Sequence, residues 1–290
     1  MSLNANIGLL SDPDKADRIF GITRGIEKEG LRIDPTGHLS ISEHPKCLGS
    51  ALTHPNITTD FSEALLEFIT EPSSSISDVM AQLSEIHQIA YQHLDQELLW
   101  ASSMPCQLGE EESIPIGQYG SSNIGMMKTT YRRGLGHRYG RHMQTIAGIH
   151  YNFSVPDSLW EDLKKAAKNT QSLKDFKSEG YFGLIRNFRR YSWLLLYLLG
   201  AAPAVCRSFV RNQNHSLVPV REDTHSLYQP YATSLRMGDL GYQSEAQSSL
   251  EVSYNELSEY TPTIHKALYI NYPNYYAIGL YNNTVQYLQL

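Results

Sequence analysis

Acidic side chains recur in short segments that have the alternating pattern of β-strands. Glu27 and Glu29 lie two positions apart within residues 25–33, and Glu67 lies in the apolar hexamer of residues 65–70. Alternate side chains of a strand share a face, so we expect Glu27 and Glu29 to point the same way, about 7 Å apart. Carboxylates that converge from several strands are typical oxygen ligands of Mg²⁺ held against phosphates. These residues therefore allow a metal-dependent reaction at phosphate.

His150 and Asn152 share one face of a third strand-like segment, residues 145–155. They could add an imidazole nitrogen and an amide to the same group. The pattern also fits a solvated strand face, or acidic groups that pair with Lys28 and Arg32. Residue types alone leave the metal site and this simpler interpretation both open.

Two further stretches could bind anions. The turn Tyr119-Gly120-Ser121-Ser122-Asn123 is followed by a basic stretch with Lys128, Tyr131, Arg132 and Arg133. Backbone N–H groups of such a turn can hold an anion, but the glycine spacing fits no P-loop or dinucleotide motif, which favours an ordinary basic surface. Arg236 stands among apolar and small residues, where a guanidinium suits bidentate binding of a carboxylate; a surface salt bridge is the alternative.

The composition argues against several classes of function. Among 290 residues there are 24 Lys and Arg against 30 Asp and Glu, and this net charge of −6 argues against nucleic acid as a partner. Cys47, Cys106 and Cys206 lie in no nucleophile or zinc motif, which favours a reducing, cytoplasmic location. Residues 191–206 are uncharged but fewer than the roughly 20 residues of a membrane span, so we expect a buried helix there.

The periodicity of apolar residues predicts the elements that position these side chains. Strands are expected at residues 25–33, 65–70 and 145–155, and helices at 77–98, 159–167 and 173–199. The apolar stripe of the first helix consists of Val79, Leu83, Ile86, Ala90, Leu94 and Leu98. Strands mixed with helices, without regular βαβ alternation, predict an α+β fold with a largely antiparallel sheet.

The end of the sequence is nearly uncharged. Lys266 is the one formal charge after Glu259, and residues 284–290 have the composition of a strand without a turn or cap. Because a soluble domain rarely exposes such β-prone surface, we expect either that another chain covers it or that the sequence continues.

Longer blocks of the sequence resemble the proteobacterial glutamate–cysteine ligases. They are Arg24-Gly25-Ile26-Glu27-Lys28-Glu29-Gly30-Leu31-Arg32 and residues 48–54, 57–70, 103–106, 119–123, 131–135, 144–154 and 230–242. The blocks follow the order of the family and span essentially the whole chain. The resemblance implies ATP-dependent ligation of the γ-carboxylate of L-glutamate to the amine of L-cysteine, through γ-glutamyl phosphate, as the first step of glutathione biosynthesis.

The resemblance also implies a fold and a set of site residues. The fold would resemble that of glutamine synthetase, with a curved, mostly antiparallel sheet, flanking helices, and Mg²⁺ (or Mn²⁺) on the inner wall of the sheet. The implied metal ligands are Glu27, Glu29, Asp60, Glu67 and His150. The implied catalytic residues are Glu27, Glu29, Glu67 and Arg236, the last of which would hold an amino-acid carboxylate. The implied substrate pocket consists of Arg236, Phe61, Tyr131, Leu135, Gln144 and Tyr242.

The sequence departs from the family in two respects. Met126 and Met127 stand where relatives commonly carry a basic or aromatic residue, so no nucleotide contact is expected of the loop at residues 123–128. The chains of the family also run well beyond Leu290, so residues 1–290 are interpreted as one catalytic domain truncated at its C-terminal end. The alternatives are a naturally short, non-catalytic paralogue that binds an amino acid or a partner subunit, a ligase for another amine, and a metal-dependent phosphohydrolase. No membrane, nucleic acid or obligate protein partner is expected.

Overall fold

A five-stranded antiparallel sheet organises the computed structural model, which describes residues 7, 8, 10–13, 16–105, 107–211, 213–238, 240, 241, 251–269 and 273–277. Its strands are β1 (Thr23–Ile33), β2 (Ile57–Thr59), β3 (Leu65–Ile69), β4 (Leu98–Leu99) and β5 (Ile149–Ser154). β1 pairs along one edge with β3, which pairs in turn with β2. Along its other edge β1 pairs with β5 and, near its end, with β4. The antiparallel pairing confirms the predicted α+β fold.

Helices and a small second sheet flank the central sheet. The helices are α1 (Ala16–Phe20), α2 (Ile76–Gln92), α3 (Asn123–Tyr139), α4 (Asp157–Ala166), α5 (Leu173–Leu199), α6 (Leu257–Tyr269) and α7 (Pro273–Ala277). The second sheet consists of β6 (Ala204–Cys206), β7 (Val218–Pro219) and β8 (Ser226–Tyr228). Ser75, Ser122 and Ser172 each accept a hydrogen bond from a backbone N–H in the first turn of α2, α3 and α5. These serine caps explain where the three helices begin.

The two faces of the central sheet pack against different elements. One face packs against α2 in a cluster of Leu48, Ile57, Leu66, Phe68, Ile86, Ala90 and Leu94. The other face contributes Leu31 and Leu65 to a second cluster, which includes side chains of β6 and β8. Because side chains alternate along a strand, Glu29 and Glu67 lie on the same face as Leu31 and Leu65. On this face, each strand therefore carries an apolar side chain (Leu31 or Leu65) and, two residues away, an acidic one (Glu29 or Glu67).

The predicted elements are present, with some bounds that differ. α2 ends at Gln92 rather than at residue 98, because Leu98 pairs with β1 as part of β4. The third strand begins at Ile149 rather than at residue 145, because Met143–Thr145 forms a 3-10 turn. Residues 123–128, expected as a loop, are the first turns of α3, whose start is capped by Ser122.

The expectation of a buried helix at residues 191–206 was wrong. α5 ends at Leu199, which is 75% exposed, and β6 follows five residues later. The last turns of α5 are apolar on several faces, so one packed face leaves others exposed. No helix within the described ranges is long and apolar enough to cross a membrane. Residues 284–290, predicted to form a strand, lie outside the described residues.

Candidate functional site

The backbone register brings acidic residues of two strands together with a histidine of a third. Glu29 on β1 lies opposite Glu67 on β3, and Glu27 on β1 lies opposite His150 on β5. Asp60 directly follows β2, and its charge acts on both Glu29 and Glu67. β1 joins the glutamates and His150 because it pairs with β3 on one edge and with β5 on the other, and β3 in turn pairs with β2, which leads into Asp60. These five side chains, Glu27, Glu29, Asp60, Glu67 and His150, are called the carboxylate cluster below.

Hydrogen bonds from β5 and the residue before it orient two of the glutamates. His150 Nδ1 lies 3.0 Å from Glu27 Oε2, and Asn152 Nδ2 donates to Glu27 Oε1 at 3.0 Å. The Gly148 backbone N–H donates to Glu29 Oε2 at 2.6 Å. The amide of Asn152 thus contributes to the site by holding Glu27.

Pairing with Lys28 and Arg32 does not account for the cluster. Both residues alternate with the glutamates along β1, so their side chains leave the opposite face of the strand. Arg32 is 1% exposed and forms an ion pair with Glu97 at 2.5 Å. The simpler interpretation that the acidic residues are matched by these two cations is therefore wrong.

Burial and crowding raise the pKa values of three carboxyls in the cluster, those of Glu29, Asp60 and Glu67. Burial, followed by the charges of Asp60, Glu29 and Glu27, raises the pKa of Glu67 to about 7. Burial is also the main cause that raises the pKa of Glu29 and of Asp60. One oxygen each of Glu27 and Glu67 and a ring nitrogen of His150 lie within 4.8 Å of one another. A divalent cation fits this donor set, because its positive charge would offset the burial and the like-charge repulsion that raise these pKa values.

Arg236 reaches the cluster from a distant part of the chain. It lies on the 3-10 turn Leu235–Met237, and its Nη1 is 2.8 Å from the position that a Cβ atom on Gly148 would occupy. Its charge opposes the rise that burial causes in the pKa of Glu29. Gly148 therefore leaves room for the guanidinium and also donates to Glu29. Sequence reasoning missed Gly148; the signal it offered was a glycine directly before the strand that carries His150.

A cavity of about 640 Å³ opens beside the cluster. Glu29, His150 and Arg236 line one part of it, and Phe188 and Leu195 of α5 line another. A cavity of this size, with a few charged groups and an apolar wall, suits a small charged molecule.

Three of the residues predicted to surround the second substrate lie close to Asp60. Phe61 and Leu135 belong to a buried cluster against which Tyr131 packs, and burial raises the pKa of Tyr131. Gln144 is 2% exposed, and its Nε2 has no hydrogen-bond partner among the described residues. None of these four is among the described residues that line the cavity beside Arg236. Tyr242 lies outside the described residues, and the substrate roles of all five stay predictions.

Several known proteins with related sequences are glutamate–cysteine ligases. The family model for glutamate–cysteine ligase matches residues 7–290. A glutamate–cysteine ligase of Saccharophagus degradans is 56% identical over 281 residues, which cover 97% of this chain and 53% of that protein. One of Alcanivorax borkumensis is 53% identical over 292 residues, covering 99% of this chain and 55% of that protein. The chain thus spans about half the length of the curated relatives it matches.

Two solved structures have a similar fold. The crystal structure of a glutamate–cysteine ligase from Francisella tularensis in complex with AMP matches with a TM-score of 0.81 and 39% identity, covering 91% of this chain and 51% of that chain. A bifunctional glutathione synthetase from Pasteurella multocida matches with a TM-score of 0.69 and 27% identity, covering 94% of this chain and 33% of that chain.

Proposed function

Because the chain belongs to the glutamate–cysteine ligase family, we propose that the protein joins the γ-carboxylate of L-glutamate to the amine of L-cysteine at the expense of ATP, the first step of glutathione biosynthesis. The observation that carries this proposal is the carboxylate cluster, with Arg236 at its rim. The chain spans about half the length of its relatives, so the activity is proposed for the whole protein, with residues 1–290 as part of one catalytic domain.

The cluster has the donors that a Mg²⁺ or Mn²⁺ site needs. Glu27, Glu67 and His150 converge within 4.8 Å, and the pKa of Glu67 at about 7 supports a need for added positive charge. Glu29 and Asp60 are the further proposed ligands. When bound, the cation supplies positive charge to the β- and γ-phosphates of ATP, and phosphoryl transfer depends largely on such neutralisation and on positioning. The description of the Francisella enzyme in complex with AMP supports ATP as the nucleotide.

Arg236 is proposed to hold an amino-acid carboxylate. Its guanidinium extends over Gly148 at the edge of the cluster, and it lines the 640 Å³ cavity. A carboxylate bound there would lie beside Glu29 and His150, with the rest of the molecule near the cluster. Bidentate hydrogen bonding would then fix the orientation of the substrate.

The cysteine is proposed to bind near Phe61, Tyr131, Leu135 and Gln144, with Tyr242 contributing from outside the described residues. A thiol is a weak hydrogen-bonding group, so apolar and aromatic walls suit it. The Nε2 of Gln144 has no hydrogen-bond partner among the described residues, and this supports a ligand nearby, because buried donors are rarely left without an acceptor.

The proposed chemistry has two steps. A γ-carboxylate oxygen of glutamate attacks the γ-phosphorus of ATP, which forms γ-glutamyl phosphate and releases ADP. The cysteine amine then attacks the acyl carbon, and inorganic phosphate leaves as the amide forms. The chain's own side chains bind and orient the reactants in both steps, with Arg236 placing the amino acid. The net charge of −6 argues against nucleic acid as a partner, and the homologous biosynthetic enzymes support a cytoplasmic setting.

The test is ADP release by the native protein isolated from its source cells, supplied with ATP, Mg²⁺ and glutamate. We expect release to depend on cysteine and to match γ-glutamylcysteine formation one for one. ADP release without any amine would instead indicate a phosphohydrolase, and stimulation by a different amine would indicate another ligase. No ATP turnover at all would favour a non-catalytic paralogue.

A further inference from the structure

Two side chains from outside the sheet hold the backbone that carries Asp60. The first is Tyr119, which is 5% exposed. Its hydroxyl lies 2.8 Å from Thr59 Oγ1 and donates to the carbonyl oxygens of Thr59 at 2.8 Å and of Asp60 at 3.1 Å. Because a phenol has one proton, the Thr59 hydroxyl must donate to Tyr119 while the Tyr119 proton is shared by the two carbonyls.

The second side chain is Arg132 on α3. Its Nε donates to the Asp60 carbonyl, and its Nη2 donates to the Thr59 carbonyl at 3.3 Å. Its guanidinium also lies over the Tyr119 ring, with the central carbon 4.4 Å from the ring centroid. Tyr119 and Arg132 therefore donate hydrogen bonds to the same two carbonyls and also contact each other. These two residues are called the carbonyl clamp below.

The clamped carbonyls determine the direction of the Asp60 side chain. They flank the Asp60 Cα atom, so holding both fixes the backbone dihedrals on which the Cα–Cβ direction depends. Asp60 lies two residues beyond Thr58, which is paired with Glu67, and so enters the same face of the sheet. Three glutamates crowd that face, and like-charge repulsion pushes a fourth carboxylate outward. The clamp opposes this displacement.

We propose that Tyr119 and Arg132 are positioning residues that keep the Asp60 carboxylate inside the cluster before a divalent cation binds. The proposal rests on the proposed function in that the cluster is taken as the metal site. It gives a role to Tyr119 and Arg132 in the stretch at residues 119–133, which on sequence grounds resembles an ordinary basic surface. A prearranged ligand set binds its ion more tightly than one that must first be assembled, and loss of such supporting contacts typically weakens metal affinity by about 10–100-fold.

The test is the affinity of the native protein for Mn²⁺ alone, measured by electron paramagnetic resonance. Tyr119→Phe keeps the ring under Arg132 but removes the hydroxyl, and we expect the Kd for Mn²⁺ to rise about tenfold. Arg132→Lys keeps the charge but loses the planar fork, so we expect a similar rise. Tyr197→Phe and Arg190→Lys, exposed on α5, are the matched controls and should bind Mn²⁺ like the parent.

Different results overturn different parts of the account. An unchanged Kd for Mn²⁺ in Tyr119→Phe would overturn the clamp, because the hydroxyl would then have no role. A parent-like Kd in Arg132→Lys would also overturn it, because the charge of residue 132 would then be sufficient without the planar guanidinium. Should Arg132→Lys fail to fold, Thr59→Val carries the test with Tyr119→Phe, since each alters only a hydroxyl group. In the ligase assay, the Mg²⁺ concentration for half-maximal rate should rise with little change in kcat. Weakened Mn²⁺ binding without any ligase activity in the parent would refute the proposed function and leave the clamp intact.

Discussion

Replacing Glu67 with glutamine should stabilise the metal-free protein above neutral pH and change its stability little in mild acid. Burial and the neighbouring carboxylates raise the pKa of Glu67 from 4.5 to about 7. The folded protein thus binds this proton more tightly than the unfolded chain, so stability is lost as the pH rises from about 4.5 through 7. The difference between the two pKa values corresponds to a loss of about 3 kcal/mol in the free energy of unfolding. This loss is complete above pH 7. Glutamine cannot ionise and therefore avoids this loss.

The assay is urea unfolding in the presence of EDTA, for the parent and for Glu67→Gln, at pH 8 and at pH 5. We expect the variant to be more stable by about 3 kcal/mol at pH 8 and by less than about 1 kcal/mol at pH 5. Glu85→Gln, an exposed change on α2, should give no difference at either pH. Added Mg²⁺ should restore stability at pH 8 mainly in the parent. A stability difference that is the same at both pH values would refute the crowded-carboxylate reasoning.

Three further substitutions test other parts of the structure. Glu27→Gln should abolish ADP formation while the circular dichroism spectrum stays that of the parent, because an amide ligates Mg²⁺ poorly; parent-like turnover by the folded variant would remove Glu27 from the site. Gly148→Ala places a Cβ atom 2.8 Å from Arg236 Nη1, which should displace the guanidinium. We therefore expect the variant to fold but to have a higher KM for an amino-acid substrate, and an unchanged KM would argue against the role of Arg236. Arg32→Met leaves Glu97 without its ion-pair partner and should destabilise the protein by about 3–5 kcal/mol in urea unfolding, whereas a loss below about 1 kcal/mol would contradict the buried pairing.

Local periodicity was sufficient to predict most elements of the fold. The bounds of α5 follow from its serine cap and its apolar spacing, and the three long strands follow from alternation. Leu98 was assigned to the wrong element because a residue at helical spacing can equally pair with a strand, and only the tertiary structure decides between them. Exposure of the last turns of α5 was not predictable either, since packing partners are not encoded in one segment.

The site was only partly predictable from residue types. Alternation along β1 correctly places Glu27 and Glu29 on one face, but it does not show which strands lie beside them. The pairings of Glu29 with Glu67 and of Glu27 with His150 depend on the register of strands far apart in sequence. Identification of all five cluster residues required the family resemblance. The carbonyl clamp was missed for the same reason, because its contacts join residues some 60–70 positions apart.

The most direct test of the proposed function follows the oxygen atoms of glutamate. The native protein would be supplied with cysteine, ATP, Mg²⁺ and glutamate carrying ¹⁸O in its γ-carboxylate, and the released phosphate would be analysed by mass spectrometry. If γ-glutamyl phosphate is the intermediate, one ¹⁸O atom should appear in phosphate for each γ-glutamylcysteine formed. Unlabelled phosphate accompanying product formation would contradict activation of the carboxylate by phosphorylation.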